Sequence, residues 1–255
     1  MEDPNTLFLG KDLRIFDKLD STNAHLQDLI KSKQAAEGTV VWALEQTQGR
    51  GQMGTQWNSP AQVNLYFSIL LCPRFLPVPK QFYLSKIAAL ALTETCRSLG
   101  VNEPFVKWPN DLLIQGKKAG GILIENQVRK SLLDHSIIGV GLNINQKVFP
   151  ENLTHAHSLG LALGKELDLY QVLKIVLKHF ESFYLQLKAA KWDHIDQAYL
   201  QSLYGYGQPI SFTTNSGENC TATLMGVSPE GKILFSDNGK LKRYGFKEIR
   251  FNIYS

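Results

Sequence analysis

Residues 107–111 (KWPND) place an ammonium, an indole, a proline, an amide and a carboxylate in consecutive positions. Lys107 can pair with a phosphate, Asn110 can orient a bound group, and Asp111 can hold Mg²⁺ through water. Because Pro109 fixes a backbone dihedral, the segment is predicted to be a tight corner between two strands. A turn with an exposed ion pair explains any one of these residues equally well. Together they indicate a site for a phosphorylated ligand.

Residues 46–60 are rich in glycine and glutamine and lack hydrophobic periodicity. Gly49 and Gly51 let backbone N–H groups approach an anion, and Arg50 between them can pair with a phosphate or a carboxylate. The stretch matches neither the P-loop pattern nor the dinucleotide-binding pattern. A flexible surface loop is the alternative. Because long loops are often functional, we interpret this segment as an anion-binding loop.

Three further segments can contribute to a binding site. Lys118 stands before the small residues 119–121 at the start of a buried strand, whereas Lys117 fits a solvated hairpin end. Residues 21–23 (STN) can cap a helix, or their hydroxyls can bind a polar uncharged group such as a ureido ring. Residues 139–143 (GVGLN) are a core strand, or a strand whose glycines allow a ligand or another backbone to approach closely.

The elements that must position these residues follow from hydrophobic spacing and turn signals. Helices and strands do not alternate strictly, which indicates an α+β fold with a mixed β-sheet and flanking helices. A hairpin-like turn at Gln115–Gly116 is predicted to join two of the short central strands. Helices are predicted over residues 24–33, 80–99, 169–188 and 194–203, and strands over residues 39–45, 64–71, 105–107, 112–114, 121–125 and 136–143.

The pattern changes near residue 205, where turn signals become dense. A small β-barrel of about fifty residues is typical of such closely spaced strands and turns. The sequence therefore predicts two domains, a ligand-binding domain over residues 1–204 and a small C-terminal β-barrel over residues 205–255. Five strands are predicted in the second domain, near residues 209–214, 220–227, 232–236, 240–245 and 248–253.

Composition narrows the class of protein. The chain has 255 residues, of which 44% are hydrophobic and 20% charged, as in an ordinary globular protein. Because no apolar run is long enough to span a membrane and the first residues do not form a secretory signal, we expect a cytoplasmic protein with no membrane partner. With 27 basic and 23 acidic side chains, the net charge is +4, which is low for a nucleic-acid binder but suits an anionic substrate such as ATP.

Cysteine and histidine usage argues against structural metal sites and disulfides. Cys72, Cys96 and Cys220 are far apart and odd in number, and they form no C-x-x-C pair. His155 and His157 lie two residues apart in a loop-like segment, where a solvated loop is a better explanation than metal ligation. There is also no nucleophile elbow. Chemistry by positioning and charge stabilisation, without a covalent enzyme intermediate, fits the candidate residues best.

These segments, in this order, resemble the biotin–protein ligase family along nearly the whole chain. The resemblance implies the family's catalytic domain, which is similar to class II synthetases, followed by an SH3-like barrel. It also implies that the protein activates biotin with ATP and Mg²⁺ as biotinyl-5′-AMP. The biotin then passes to a lysine of a biotin carboxyl carrier protein.

The resemblance also assigns roles to individual residues. Lys118 and Arg50 are implied to be catalytic, with Lys118 contacting both the biotin carboxyl group and the α-phosphate. Asp111 is implied to hold Mg²⁺. The implied biotin-binding residues are Ser21, Thr22, Asn23, Gln46, Gly49, Arg50, Gly51, Gln52, Lys118, Gly120 and Gly121. The implied ATP-binding residues are Arg50, Gln52, Trp57, Lys107, Asn110, Asp111, Lys118 and Asn143.

Two departures from the family pattern lead to further expectations. Some family members carry an N-terminal winged-helix domain and repress transcription, but the Ser-Thr-Asn segment here begins at residue 21, so we expect no repressor function. The better-known glycine loop has basic residues where this chain has Gln52, Met53 and Thr55. With Gln52 in place of a basic residue, the loop makes one fewer charge-assisted hydrogen bond to the adenylate, so we expect the intermediate to leave more readily unless another cation substitutes.

The sequence leaves rival functions open. A lipoate or octanoate ligase or transferase has a related fold and chemistry, although the arginine pair and the His-Asp segment typical of those proteins are missing. A non-enzymatic binding module belongs to a different class and also stays open. The missing helix-turn-helix and the modest charge argue against a third rival, a transcriptional regulator. The sequence does not decide whether the protein is a monomer or a homodimer. Nor does it decide whether the C-terminal barrel supports the fold, contacts the nucleotide or docks the acceptor.

Overall fold

A seven-stranded mixed sheet with helices on both faces forms the larger part of the protein. The computed structural model describes residues 4–52, 57 and 60–252. Its strands are β1 Leu13–Leu19, β2 Val40–Gln46, β3 Leu65–Leu71, β4 Phe105–Lys107, β5 Asp111–Ile114, β6 Lys117–Arg129 and β7 Leu132–Leu142. The helices are α1 Thr22–Lys31, α2 Phe82–Ser98, α3 Leu159–Leu163, α4 Leu169–Lys188 and α5 Trp192–Ser202. The strand order is β1-β2-β3-β7-β6-β5-β4, with β1 and β2 parallel and the other neighbours antiparallel.

Alternating side chains place the two faces of this sheet in different cores. Phe67 and Ile69 belong to the main core, which also contains the buried faces of α2 and α4. Leu70 and Ile137 point to the other face and pack with Leu26 of α1 in a smaller core. None of the helices in the described part of the chain is long and apolar enough to cross a membrane.

The face that α1 covers is lined by unusually small residues next to the helix N-terminus. Ser68 of β3 pairs in register with Gly139 of β7, and Gly141 of β7 pairs with Gly121 of β6. Neighbouring positions on the opposite face are large and apolar, such as Phe67. Because small side chains leave space above the sheet, the fold creates room for a ligand at this point.

A second sheet follows the helices. Its five strands are β8 Pro209–Thr214, β9 Asn219–Val227, β10 Ile233–Asp237, β11 Lys240–Tyr244 and β12 Ile249–Phe251. They form an antiparallel sheet in the order β11-β10-β9-β8-β12, with Phe212 and Phe235 stacked inside at 4.5 Å between ring centroids. Within residues 4–52, 57 and 60–252, no ladder joins β11 to β12. The five strands are therefore confirmed as one sheet, while closure into a barrel and the domain boundary at residue 205 stay predictions.

Trp108 connects the two sheets. Its side chain is buried, and its indole Nε1 donates to the Gly231 carbonyl, in the turn between β9 and β10, at 2.9 Å. Its ring also lies 5.3 Å from that of Phe246, between centroids. The indole in the KWPND corner therefore has a structural contact with the C-terminal sheet. The Trp108–Pro109 peptide bond is cis.

Replacing Trp108 with phenylalanine is expected to destabilise the fold by about 1–3 kcal/mol, because the buried Gly231 carbonyl loses its hydrogen-bond donor. Urea denaturation monitored by far-UV circular dichroism measures the loss. Trp192→Phe, at a half-buried position in α5, is the matched control and is expected to cost less. Equal losses in the two variants would argue against a specific role for the indole N–H.

The predicted helices and strands are confirmed, and β1 and α3 are present in addition. All six predicted central strands and all four predicted helices are present, and the predicted Gln115–Gly116 turn joins β5 to β6. The sequence of β1, LRIFDKL, mixes charged and apolar residues without clear alternation, as an edge strand can. The five-residue α3 is too short for a periodic signal. The strand predicted at 121–125 runs further, because β6 and β7 continue as a long hairpin.

Candidate active site

A cavity of about 510 Å³ opens on the α1 face of the central sheet, above the small residues of β3, β6 and β7. Every predicted site residue except Gly49 and Gly120 lines it. Those that do are Ser21, Thr22, Asn23, Gln46, Arg50, Gly51, Gln52, Trp57, Lys107, Asn110, Asp111, Lys118, Gly121 and Asn143. Segments far apart in sequence therefore converge on one cavity.

The two predicted residues outside the lining have packing roles. A Cβ atom on Gly120 would meet the Leu142 side chain at 3.1 Å and the Gly141 carbonyl at 3.2 Å. A Cβ atom on Gly49 would lie 2.3 Å from the Trp57 carbonyl oxygen. The Trp57 N–H donates to the Gly49 carbonyl at 2.8 Å, so the two ends of the glycine loop meet there. Residues 53–56, which include Met53 and Thr55, lie outside the described residues.

The glycines of β6 and β7 make room for two side chains. A Cβ atom on Gly139 would lie 2.2 Å from Asn23 Oδ1. A Cβ atom on Gly141 would lie 2.7 Å from the indole of Trp57, and one on Gly121 would lie 3.0 Å from the same ring. The sequence indicates close approach by a ligand or another backbone. In the structure, these glycines line the cavity, and their close neighbours are the side chains of Asn23 and Trp57.

One end of the cavity is lined by the neutral polar side chains of residues 21–23 and Gln46. Ser21 caps α1, and the backbone N–H of Thr22 donates to Gln46 Oε1 at 2.8 Å. The Thr22 hydroxyl lies 3.1 Å from the same oxygen. Asn23 is buried beside them, with its amide nitrogen 2.7 Å from Glu125 Oε2. This end can hydrogen-bond a neutral head group that carries both donors and acceptors.

The other end is charged. Asp111 lies between two lysines, with Oδ1 2.6 Å from Lys118 Nζ and Oδ2 3.5 Å from Lys107 Nζ. The Asp111 side chain is only 14% exposed, whereas that of Lys118 is 39% exposed. Lys118 Nζ also lies 5.4 Å from the centroid of the Trp57 ring. The pairing leaves the lysine head accessible to a ligand, because an ammonium has three donors and Asp111 accepts from it through one oxygen.

Arg50 lines the cavity and pairs with an acidic residue of β6. Its Nη1 lies 3.8 Å from Glu125 Oε1, next to the polar end of the cavity. Both side chains are partly exposed, at 49% and 42%. An exposed pair at this distance is weak, so the contact with Glu125 holds Arg50 in place only weakly.

A strap of residues 155–157 holds the backbone of Lys118. The Lys118 N–H donates to the His155 carbonyl at 2.7 Å, and the His157 N–H donates to the Lys118 carbonyl at 2.8 Å. The buried side chain of Asn143 donates to the His157 carbonyl at 3.0 Å. Burial, helped by nearby Lys117, lowers the pKa of His157. Asn143 and the strap therefore fix the position of the lysine.

The side-chain nitrogen and the backbone carbonyl of Asn110 form hydrogen bonds within the protein. Its Nδ2 donates to the Ile122 carbonyl at 2.8 Å, and its own backbone carbonyl accepts from the Ile122 N–H at 3.0 Å. These bonds tie the KWPND corner to β6. The predicted orienting role toward a ligand therefore depends on the amide oxygen, which these contacts do not use.

Several lining residues are not predicted from the sequence. They come from β6 and β7, from the segment before the strap and from the end of the C-terminal sheet, where Lys247 and Arg250 add two cations. No local pattern marks these residues, because only the folded chain brings them to the cavity. The additional lining residues include Leu123, Gln146, Phe149, Leu153, Phe246, Lys247, Arg250 and Phe251.

Acidic residues at the site are few. Among the described residues, no group of three or more histidine, cysteine, aspartate or glutamate side chains could hold a metal ion. Asp111 is the acidic residue of the cavity lining, against the cations Arg50, Lys107, Lys118 and the two from the C-terminal sheet. One carboxylate suits a Mg²⁺ ion held mainly by water and phosphate oxygens, and does not suit a protein cage. The surplus of cations suits bound anions.

Comparison with known proteins agrees with this arrangement. The family model described as the biotin/lipoate A/B protein ligase family matches residues 15–143. The bifunctional ligase/repressor BirA of Bacillus subtilis is 32% identical over 241 residues, which cover 93% of this chain and 73% of that protein. The biotin–[acetyl-CoA-carboxylase] ligase of Mycobacterium tuberculosis is 27% identical over 90% of this chain and 85% of that protein.

A solved structure extends the match to the whole fold. The biotin protein ligase from Aquifex aeolicus, in complex with biotin and ATP, superimposes with a TM-score of 0.80 at 28% identity. The match covers 95% of this chain and 99% of that chain. This chain belongs to the biotin/lipoate A/B protein ligase family, and it is a ligase.

Proposed function

We propose that the protein joins biotin to ATP as biotinyl-5′-AMP and transfers the biotinyl group to a lysine of a biotin carboxyl carrier protein. The observation that carries the proposal is the polarity of the cavity, with a neutral hydrogen-bonding end at Thr22 and Gln46 and a cationic end at Lys107 and Lys118. The relatives named biotin ligases, and the similar structure solved in complex with biotin and ATP, support this choice of substrates.

The spacing of the two ends supports an elongated acid. Gly121 lies beside Lys118 at the cationic end, and Glu125 contacts Asn23 at the neutral end. These two positions are four residues apart on β6, or about 13 Å at the rise of a strand. A bicyclic ureido ring with an acid side chain spans such a distance, with its ring at Asn23 and its carboxylate at Lys118.

In the first step, an oxygen of the biotin carboxylate attacks the α-phosphorus of ATP in line, and pyrophosphate leaves with the electrons of the broken P–O bond. Lys118 donates to the carboxylate and to the α-phosphate, so it stabilises the charge that accumulates during transfer. Lys107 and Asp111 hold the lysine head in place. Mg²⁺ bound by phosphates and, through water, by Asp111 would neutralise phosphate charge.

In the second step, the neutral ε-amine of the acceptor lysine attacks the carbonyl of the mixed anhydride. The amide bond forms, AMP leaves with the electrons of the anhydride C–O bond, and the amine loses one proton. The strap at residues 155–157 keeps Lys118 in the position where it can still hydrogen-bond the anhydride oxygens. Specific acceptor identity and an absence of repressor function stay predictions, as does a cytoplasmic location.

The test combines purified protein, Mg-ATP and an apo biotin-carrier domain with biotin, lipoate or octanoate in parallel, and reads the intact mass of the acceptor. We expect one biotinyl mass increment with biotin and none with the other two acids. An increment with lipoate or octanoate in place of biotin would assign the protein to the sister activity of the family. No increment with any acid would contradict the proposed transfer.

Gln52 gives a separate prediction about the intermediate. An arginine at this position is expected to slow biotinyl-adenylate dissociation by about tenfold or more, because it adds a charge-assisted hydrogen bond to the anionic adenylate. The off-rate is measured by chasing labelled adenylate from wild type and Gln52→Arg, with Gln62→Arg as a charge-matched control outside the cavity lining. Equal off-rates in wild type and Gln52→Arg would show that the loop charge does not retain the intermediate.

A further inference from the structure

Five side chains form one hydrogen-bonded row across the polar end of the cavity. Gln46 Oε1 lies 3.1 Å from Thr22 Oγ1, and Ser68 Oγ lies 2.7 Å from Thr22 Oγ1 and 2.6 Å from Asn23 Oδ1. Asn23 Nδ2 lies 2.7 Å from Glu125 Oε2. Ser68 and Glu125 are not part of the cavity lining, so they would act on a ligand only through the other three.

Glu125 fixes the orientation of the Asn23 amide. An ionised carboxylate only accepts hydrogen bonds, so the group facing it must be the amide nitrogen. The same nitrogen lies 3.5 Å from the Leu123 carbonyl, which is another acceptor. Rotating the amide by 180° would place Asn23 Oδ1 against both acceptors. Asn23 Oδ1 therefore points to Ser68.

Ser68 in turn determines which way the Thr22 hydroxyl donates its hydrogen bond. The serine is fully buried and has one hydroxyl proton, and Asn23 Oδ1 can only accept it. Ser68 therefore has no proton left for Thr22 and faces it as an acceptor. The Thr22 hydroxyl must then donate to Ser68, because two hydroxyl oxygens 2.7 Å apart need a proton between them. Its oxygen keeps a lone pair for the cavity.

The orientation of the Gln46 side-chain amide is also fixed. The backbone N–H of Thr22 donates to Gln46 Oε1 at 2.8 Å, so the amide oxygen is the atom beside α1. Carbonyl oxygens have two lone pairs and accept more than one hydrogen bond. Thr22 and Gln46 therefore both present acceptors at the polar end. The direction of the Thr22 hydroxyl begins at the charge of Glu125, whereas that of the Gln46 amide is fixed by the Thr22 backbone N–H.

We propose that Glu125 and Ser68 are positioning residues that set this direction and thereby select a head group with N–H donors, the cyclic urea. The proposal rests on the proposed function and deepens it to the basis of head-group choice. A head group without donors, such as a dithiolane, an alkyl chain or a cyclic carbonate, leaves the two acceptors unpaired. Sites built to bond a donor reject such analogues strongly.

The test compares binding of biotin with binding of its cyclic carbonate isostere, in which oxygen replaces each ureido N–H. Glu125→Gln keeps the shape of the side chain, but its amide can donate, so Asn23 can rotate. Ser68→Ala removes the hydroxyl that joins Thr22 to Asn23. The matched controls are Glu45→Gln, at a strand glutamate paired with Lys18, and Ser136→Ala, at another fully buried serine of the same sheet.

Wild type is expected to prefer the urea by a large factor in Kd, measured by titration calorimetry. We expect this preference to fall about tenfold in Glu125→Gln and in Ser68→Ala, the equivalent of one hydrogen bond, and to stay unchanged in both controls. In adenylation, KM for biotin should rise while kcat stays near the wild-type value. A purely structural role would weaken both ligands equally and leave the preference unchanged.

An unchanged preference in Glu125→Gln and Ser68→Ala, with wild-type melting temperatures, would overturn the inference and leave biotin activation intact. If wild type bound neither ligand and formed no adenylate, the proposed function itself would fail. Ligand binding and adenylate formation by the wild-type protein alone distinguish these two failures. If one variant does not fold, the preference of the other still decides the inference.

Discussion

Lys118→Ala is expected to slow biotin adenylation by about 10²–10³-fold, the usual cost of removing one preorganised donor from a charge-stabilising site, equivalent to about 2.7–4 kcal/mol. Its ammonium lies 2.6 Å from Asp111 at the cationic end of the cavity, and residues 155–157 hold its backbone on both sides. The rate is measured by single-turnover formation of labelled biotinyl-5′-AMP at saturating biotin and Mg-ATP.

Lys117→Ala is the control for this experiment. Lys117 neighbours Lys118 on the same strand but is exposed and lies outside the cavity lining, so its removal should leave the rate close to that of wild type. Melting temperatures of both variants exclude loss of folding as the cause. A Lys118→Ala enzyme that kept the wild-type rate, or a loss of equal size in Lys117→Ala, would contradict the assigned role.

Gly139→Ala is expected to weaken biotin binding on the order of 10²-fold, the effect that a displacement of about 1 Å can have at a site. The added Cβ would lie 2.2 Å from Asn23 Oδ1, so Asn23 must move away from Ser68 and Glu125. Titration calorimetry with biotin measures the change in Kd. Gly245→Ala is the matched control, because its Cβ would approach the Glu248 carboxylate no closer than 3.5 Å, an ordinary van der Waals contact.

A double-mutant cycle separates this clash from general damage. If the effect acts through Asn23, Gly139→Ala should cost little when Asn23 is already alanine. Full additivity of the Gly139→Ala and Asn23→Ala changes in binding free energy would mean that the glycine acts through another contact. That result would remove the proposed reason for a glycine at this position.

The local parts of this site can be predicted from the sequence. The KWPND corner, the N-capped start of α1 and the lysine at the start of β6 depend on neighbouring residues, whose spacing is visible in the chain. Asp111 and Lys118 come together because β5 and β6 are joined by the predicted two-residue turn. Their pairing therefore follows from a hairpin that could be predicted.

The parts that could not be predicted depend on contacts between distant segments. The two glycines of β7 line the cavity, but their contacts with Asn23 and Trp57 could not be predicted from the sequence. Ser68 has the pattern of an ordinary strand residue, although it joins Thr22 to Asn23. Such roles require the register of β3, β6 and β7 and the position of α1 above them, and periodicity does not specify these relations.

The C-terminal sheet illustrates the same difference. Its five strands follow from turn residues, which act locally. The contribution of Lys247 and Arg250 to the cavity does not follow from turn residues. It depends on how the sheet packs on the corner at Trp108. The C-terminal sheet therefore lines the cavity in addition to packing on Trp108.

The most direct test of the central claim is ATP–pyrophosphate exchange with biotin, lipoate, octanoate or no acid, because it needs no acceptor protein. We predict exchange that depends on biotin, requires Mg²⁺ and is absent with the other acids. Exchange with lipoate or octanoate but not biotin would contradict the proposed substrate. No exchange with any acid, from a protein that is folded and binds ATP, would contradict adenylation at this site.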